Sequence, residues 1–144
     1  MLKSKIIDVL KTFTQEELKS FRNYINSPFH NSNKNVIKLF ELIRKHGPEY
    51  NSPSLQKEKL FRKLYPSKKY SDIVLRILLS DLLKLSEDFL AYQRFVKTPL
   101  AGELYLLEEL KNRKLDSLFA KVIKESEQAL GNEGAINEIY FFNR

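Results

Sequence analysis

Apolar residues recur at helical spacing along nearly the whole chain, so the sequence predicts one amphipathic helix after another. Leu2, Ile6, Val9, Leu10 and Phe13 share one face of a first helix. Thr14, Gln15, Glu16 and Glu17 then form a T-x-x-E capping box, in which the side chain at each end satisfies the free backbone N–H of the other. With Phe13 before the cap and Leu18 beyond it as a hydrophobic staple, a second helix is predicted over residues 15–26, burying Leu18, Phe21 and Ile25. Ser27-Pro28 ends it, because a residue before proline is pushed out of the helical region.

A third helix over residues 34–46 carries Val36, Ile37, Leu39, Phe40 and Ile43, with His46-Gly47-Pro48 as its stop. Ser52-Pro53 and Thr98-Pro99 each read as an N-cap followed by proline at the first helical position, opening the fourth and sixth helices. Between them, residues 71–95 hold Ile73, Val74, Ile77, Leu78, Leu82, Leu83, Phe89 and Leu90, an apolar surface wide enough for the central post of a bundle. Residues 100–111 and 115–130 form a helical hairpin that stops at Gly131. Ile136, Ile139, Tyr140, Phe141 and Phe142 begin a further amphipathic helix, and an apolar start of this kind leads to the expectation that the chain is the N-terminal piece of a longer protein.

The predicted fold is therefore all-α, a multi-helix bundle of about eight helices. Residues 1–95 are expected to be a basic helical bundle, and residues 98–144 a hairpin plus the start of another helix, in one continuous helical domain. The stretch from Thr98 to Gly131 has the length of a tetratricopeptide hairpin, about 34 residues, so the bundle is expected to grade into an α-solenoid-like arrangement. The small residues and proline of that repeat signature are absent.

Charge divides the chain unevenly. The 144 residues carry a net +7, but residues 1–70 hold 15 Lys and Arg against 6 Asp and Glu, whereas the remainder holds 10 against 12. Lys57, Lys59, Arg62, Lys63, Lys68 and Lys69 interleave with Phe61, Tyr65 and Tyr70, a mixture of cation and stacking surface suited to single-stranded nucleic acid or an acidic protein. The competing reading makes these cations the solvated side of an amphipathic helix, since Phe61 sits at core spacing with Leu60 and Leu64.

Catalytic chemistry finds little to work with. The chain has no Cys, no Trp, two His and four Gly, which excludes disulfides and thiolate metal sites and fits a reducing, cytoplasmic setting. His30 and His46 stand far apart without paired carboxylates, so neither a metal pair nor a nucleophile with an oriented base can be drawn. His30 reads as a turn residue, and His46 as a last-turn residue favoured by the negative end of the helix dipole. Adjacent acidic pairs such as Glu108-Glu109 diverge by about 100° on a helix and cannot share a substrate. No enzyme activity, metal or cofactor is expected, and no apolar run approaches the ~20 residues that cross a bilayer.

Residues 16–33, EELKSFRNYINSPFHNSN, followed by residues 60–90, LFRKLYPSKKYSDIVLRILLSDLLKLSEDFL, resemble the N-terminal part of an uncharacterised family of helix-rich Bacteroidetes proteins. That resemblance implies a cytoplasmic chain continuing in amphipathic helices, and it carries no catalytic residues. FTQEELKSF, residues 13–21, is similar to the opening of the pyrin branch of death-fold domains, from whose compact six-helix pattern the long fifth helix departs.

The functional expectation is a noncatalytic protein–protein interaction or scaffold module that steers acidic partners toward the basic half. The alternative is nucleic-acid binding, with Lys57, Lys59, Arg62, Lys63, Lys68 and Lys69 on phosphates and Tyr65 or Tyr70 stacking on bases. Self-association through Ile139, Tyr140, Phe141 and Phe142 is a third expectation.

Overall fold

The computed structural model describes residues 4–130, and over them the chain is all-helical: α1 (Lys5–Lys11), α2 (Gln15–Asn26), α3 (Lys34–Arg44), a 3-10 turn (Pro53–Leu55), α4 (Lys57–Leu64), α5 (Asp72–Lys97), α6 (Ala101–Asn112) and α7 (Asp116–Leu130). The further helix expected from Ile136 onward lies outside the described residues, as does Leu2. The chain forms two compact units, one through Leu90 and one from Ala91.

The first unit is a helical bundle whose elements follow local chemistry closely. At the start of α2 the Thr14 hydroxyl accepts from the Glu17 N–H at 3.1 Å, and the Glu17 carboxylate accepts from the Thr14 N–H at 3.0 Å, which completes the capping box. The Asn33 side chain caps α3 by accepting from the Asn35 N–H. α3 stops at Arg44, short of His46, because the next amides turn back three residues: His46 bonds to the Ile43 carbonyl and Gly47 to that of Arg44, which tightens the last turn.

Ser52-Pro53 does not open an α-helix. The Ser52 hydroxyl accepts from the Ser54 N–H and starts only the 3-10 turn, which buries Leu55. Gln56 is then extended, with ψ 142, and α4 begins after it.

Within this bundle the core is layered around aromatic rings. Phe13, Phe21, Phe40 and Phe89 come from α2, α3, α5 and the α1–α2 turn, and they pack with centroids 5.1 to 5.7 Å apart in tilted or edge-on contacts. Leu18 packs against the same core from its half-buried position. The 3-10 turn and α4 add Leu55, Leu60, Phe61 and Leu64. Full burial of one such side chain is worth about 1.5–3 kcal/mol, so the shared apolar face rather than helix propensity holds these short helices together.

α5 is not the all-round buried post its composition predicts. Up to Leu90 it buries Leu75, Leu78, Leu79, Leu82, Ser86 and Phe89 on one side, while Ile73, Val74 and Ile77 stay 65%, 38% and 55% exposed. Ser86, fully buried, satisfies its hydroxyl by donating to the Leu83 carbonyl at 2.6 Å.

In the second unit α6 and α7 pack against each other. Thr98 does not serve as the cap of α6, because its hydroxyl donates backward to the Arg94 carbonyl at 2.7 Å and so closes the end of α5. Leu100 takes the N-cap place in the left-handed region, at φ 69, with no side-chain cap bond. α6 ends in a Schellman motif: Lys114 is left-handed at φ 59, its N–H bonds to the Lys111 carbonyl, and the Leu115 N–H bonds to the Leu110 carbonyl. Leu107, Leu110 and Ser126 are buried, whereas Tyr92, Val96, Tyr105, Leu106, Leu115 and Leu118 stay exposed. The helix–turn–helix is a hairpin; the tetratricopeptide-like arrangement is not confirmed.

Candidate functional site

α4 turns Leu60, Phe61 and Leu64 inward, and the same period leaves Lys59, Arg62 and Lys63 exposed. Arg62 and Lys63 occupy the last turn, where cations complement the helix dipole, and Glu58 occupies the first. Lys68, Lys69 and Tyr70 follow in the loop to α5.

The structure draws part of this sequence-defined cluster together around one carboxylate. Tyr70 donates its hydroxyl to Asp72 Oδ1 at 3.0 Å, Lys57 Nζ stands 3.5 Å from the same oxygen, and Arg76 Nε stands 3.5 Å from Oδ2. The Tyr70 hydrogen bond is the main cause that holds the Asp72 carboxyl below its ordinary value, aided by the charges of Lys57 and Arg76. Tyr70 is shifted upward, first by desolvation and then by its bond to Asp72 and by the nearby carboxylates. Lys57 is therefore committed to an ion pair.

Neither tyrosine is a vacant stacking platform. The Tyr65 hydroxyl accepts from Asn35 Nδ2 at 3.1 Å, tying the end of α4 to the start of α3, while its ring leans on Phe61 at 5.0 Å and carries Lys68 Nζ at 5.2 Å. The Tyr70 ring meets Phe61 edge-on at 5.4 Å. Lys59, Arg62, Lys63 and Lys69 are exposed, with no ion pair among the described residues. Ile139, Tyr140, Phe141 and Phe142 lie outside the described residues.

Both histidines sit in turns. His30 stacks on Tyr24 with ring centroids 4.0 Å apart, and His46 follows α3, its carbonyl accepting from the Tyr50 N–H at 2.8 Å. Among the described residues no group of three His, Cys, Asp or Glu could hold a metal ion, and no helix is long and apolar enough to cross a membrane.

Two features escape sequence reasoning. The first is the exposed stripe on α5: Ile73 and Ile77 lie one turn apart with Val74 beside them, next to Arg76. Its composition is indistinguishable from that of the buried side of the same helix, so no local signal separates the two.

The second is a cavity of about 390 Å³ between α2 and the end of α3, lined by Gln15, Leu18, Lys19, Arg22, Arg44 and Gly47. Beside it Glu41 holds two guanidiniums: Arg22 Nε lies 2.8 Å from Oε1, and Arg44 Nε donates to Oε2 at 2.8 Å. The Oε1 atom is buried and accepts no aligned hydrogen bond, so the Arg22 contact is an ion pair by proximity alone. The spacing of Glu41 and Arg44 on one helix is legible in the sequence, whereas the arrival of Arg22 from α2 is a tertiary event.

Comparison with models of known protein families, with curated proteins and with solved structures returns no match.

Proposed function

We propose that this chain is a noncatalytic interaction module that docks an acidic amphipathic helix of a partner protein on the exposed stripe of α5. The single observation that carries this reading is the exposure of Ile73, Val74 and Ile77 on a helix whose opposite side is core. Three aliphatic side chains spaced as on a helix face offer anchors for a facing helix, and covering each contributes about 1 kcal/mol, half of a full burial. The exposed cations of α4 favour an acidic partner and speed its encounter. A cysteine-free chain supports a cytoplasmic setting.

The test compares cellular partners of the wild-type chain with those of an Ile73→Asp/Ile77→Asp variant whose helical content and melting are unchanged. Partners retained by the wild type and lost by the variant are expected. A partner set indifferent to the substitution defeats this reading.

A second reading rests on the exposed cations Lys59, Arg62, Lys63, Lys68 and Lys69, which suit a phosphate backbone. The internal engagement of Tyr65 and Tyr70 leaves charge without stacking, so this mode predicts binding that lacks base preference. Fluorescence anisotropy of labelled oligonucleotides over a salt series separates the two. A steep fall of affinity with salt that is lost in Lys59→Glu/Lys63→Glu supports nucleic acid, and no binding at low salt removes it.

A further inference from the structure

We propose that the cavity between α2 and the end of α3 is a binding site for a small phosphate monoester. Lys19, Arg22 and Arg44 line it and Glu41 adjoins it, so the local formal charge is that of a dianion's counterpart. The volume of about 390 Å³ falls within the range of small-ligand pockets, roughly 300–1,000 Å³, and exceeds what a bare phosphate fills. Leu18 and the backbone at Gly47 provide a wall for the organic part.

The guanidinium arrangement is what makes this a site and not a patch of surface charge. Glu41 accepts a directed bond from Arg44 Nε and holds Arg22 Nε 2.8 Å from its Oε1 by charge alone, and neither contact uses the Nη hydrogens, which remain for another acceptor. The Arg44 guanidinium is held by one edge before a ligand arrives and the Glu41 charge keeps that of Arg22 beside it, so binding costs less entropy. Arg44 reaches Glu41 within one helix and Arg22 reaches it from another, so the proximity of the two guanidiniums is set by the α2–α3 packing. Glu41 is a positioning residue in this scheme, and Arg22 and Arg44 are the contacts. Bidentate donation from arginine suits phosphate oxygens better than a lysine point charge does.

Gly47 belongs to the construction. A Cβ there would meet the buried Tyr50 ring at 2.8 Å, so only glycine lets the turn close this tightly beside the cavity.

The experiment is a titration of the full chain with β-glycerophosphate, followed by calorimetry and by backbone amide chemical shifts. Saturable binding is expected, with shifts centred on Lys19, Arg22 and Gly47. Arg22→Gln and Arg44→Gln should each weaken it about tenfold, the loss of one charge-assisted contact, while Lys63→Gln on α4 leaves it unchanged. Arg22→Lys, which keeps the charge and loses the fork, should weaken it as well. Glu41→Gln separates orientation from charge: it raises the local charge by one, yet weaker binding is expected because the guanidiniums are released. Dimethyl phosphate, a monoanion, should bind at least about tenfold more weakly.

The proposal is overturned by any of four results. These are no saturable binding, amide shifts centred on the α4 cations, equal weakening by Lys63→Gln, or tighter binding in Glu41→Gln. The shift map uses the wild-type chain, so it decides the question even if an arginine variant fails to fold.

Discussion

Gly47 lies so close to the Tyr50 ring that a Cβ built on it would sit 2.8 Å from both Cζ and Oη. Tyr50 is 1% exposed and left-handed at φ 51, so its ring is enclosed and has little room to yield. Gly47→Ala is therefore expected to destabilise the first unit by about 1–2 kcal/mol, an overpacking cost reduced by the lower chain entropy of alanine in the unfolded state. Urea unfolding followed by circular dichroism measures it. An unchanged midpoint would mean that the turn relaxes freely.

The Tyr50 hydroxyl is buried and has no hydrogen-bond partner among the described residues, and burial raises its pKa above the ordinary 10.0. A folded-state value above the unfolded one favours the folded protein fully below about pH 10 and withdraws that contribution as pH rises through the folded value. Tyr50→Phe removes both the orphaned hydroxyl and the alkaline penalty. The variant is expected to match or exceed the wild type at neutral pH, and its urea midpoint should fall less between about pH 9 and 11. Tyr70 is shifted upward in both proteins and so serves as a common background.

The reciprocal bonds of Thr14 and Glu17 predict separable effects. Thr14→Ala removes the acceptor for the Glu17 N–H and is expected to cost about 1 kcal/mol. Glu17→Gln keeps an acceptor for the Thr14 N–H and should cost less than half of that. Equal losses in urea unfolding would show that the charge of Glu17, not its hydrogen bond, matters at this helix start.

Lys114 occupies the left-handed position of the Schellman motif that ends α6. A side chain there carries a penalty of roughly 1–2 kcal/mol that glycine avoids, partly offset by the greater freedom of glycine when unfolded. Lys114→Gly should stabilise the α6–α7 hairpin by about 0.5–1 kcal/mol, read as a two- to fivefold slowing of amide hydrogen exchange at the end of α6. Faster exchange would contradict the motif.

The candidate sites were only partly legible in the chain. Lys57, Lys59, Arg62, Lys63, Lys68 and Lys69 could be grouped by sequence, but not sorted. Asp72 captures Lys57, the Tyr65 ring carries Lys68, and the remaining four stay in solvent. The Arg22–Glu41 pair left no trace at all, because its partners are far apart in sequence and meet only when α2 and α3 pack.

The sequence by itself determined the all-helical class, the limits of α2 and most of the inward faces of α2, α3 and α4, but it left the buried Ile7 off the face of α1. Each of these depends on groups within about four residues of one another: a capping hydroxyl and its amide, a proline and its predecessor, apolar side chains one turn apart. The tertiary structure decided which side of α5 meets the core, where the Thr98 hydroxyl finds its acceptor, and which cations acquire a carboxylate. Those outcomes turn on whether a second element arrives to cover a surface or satisfy a donor. An apolar stripe at helical spacing states a need for burial, and only the packed chain determines whether that need is met.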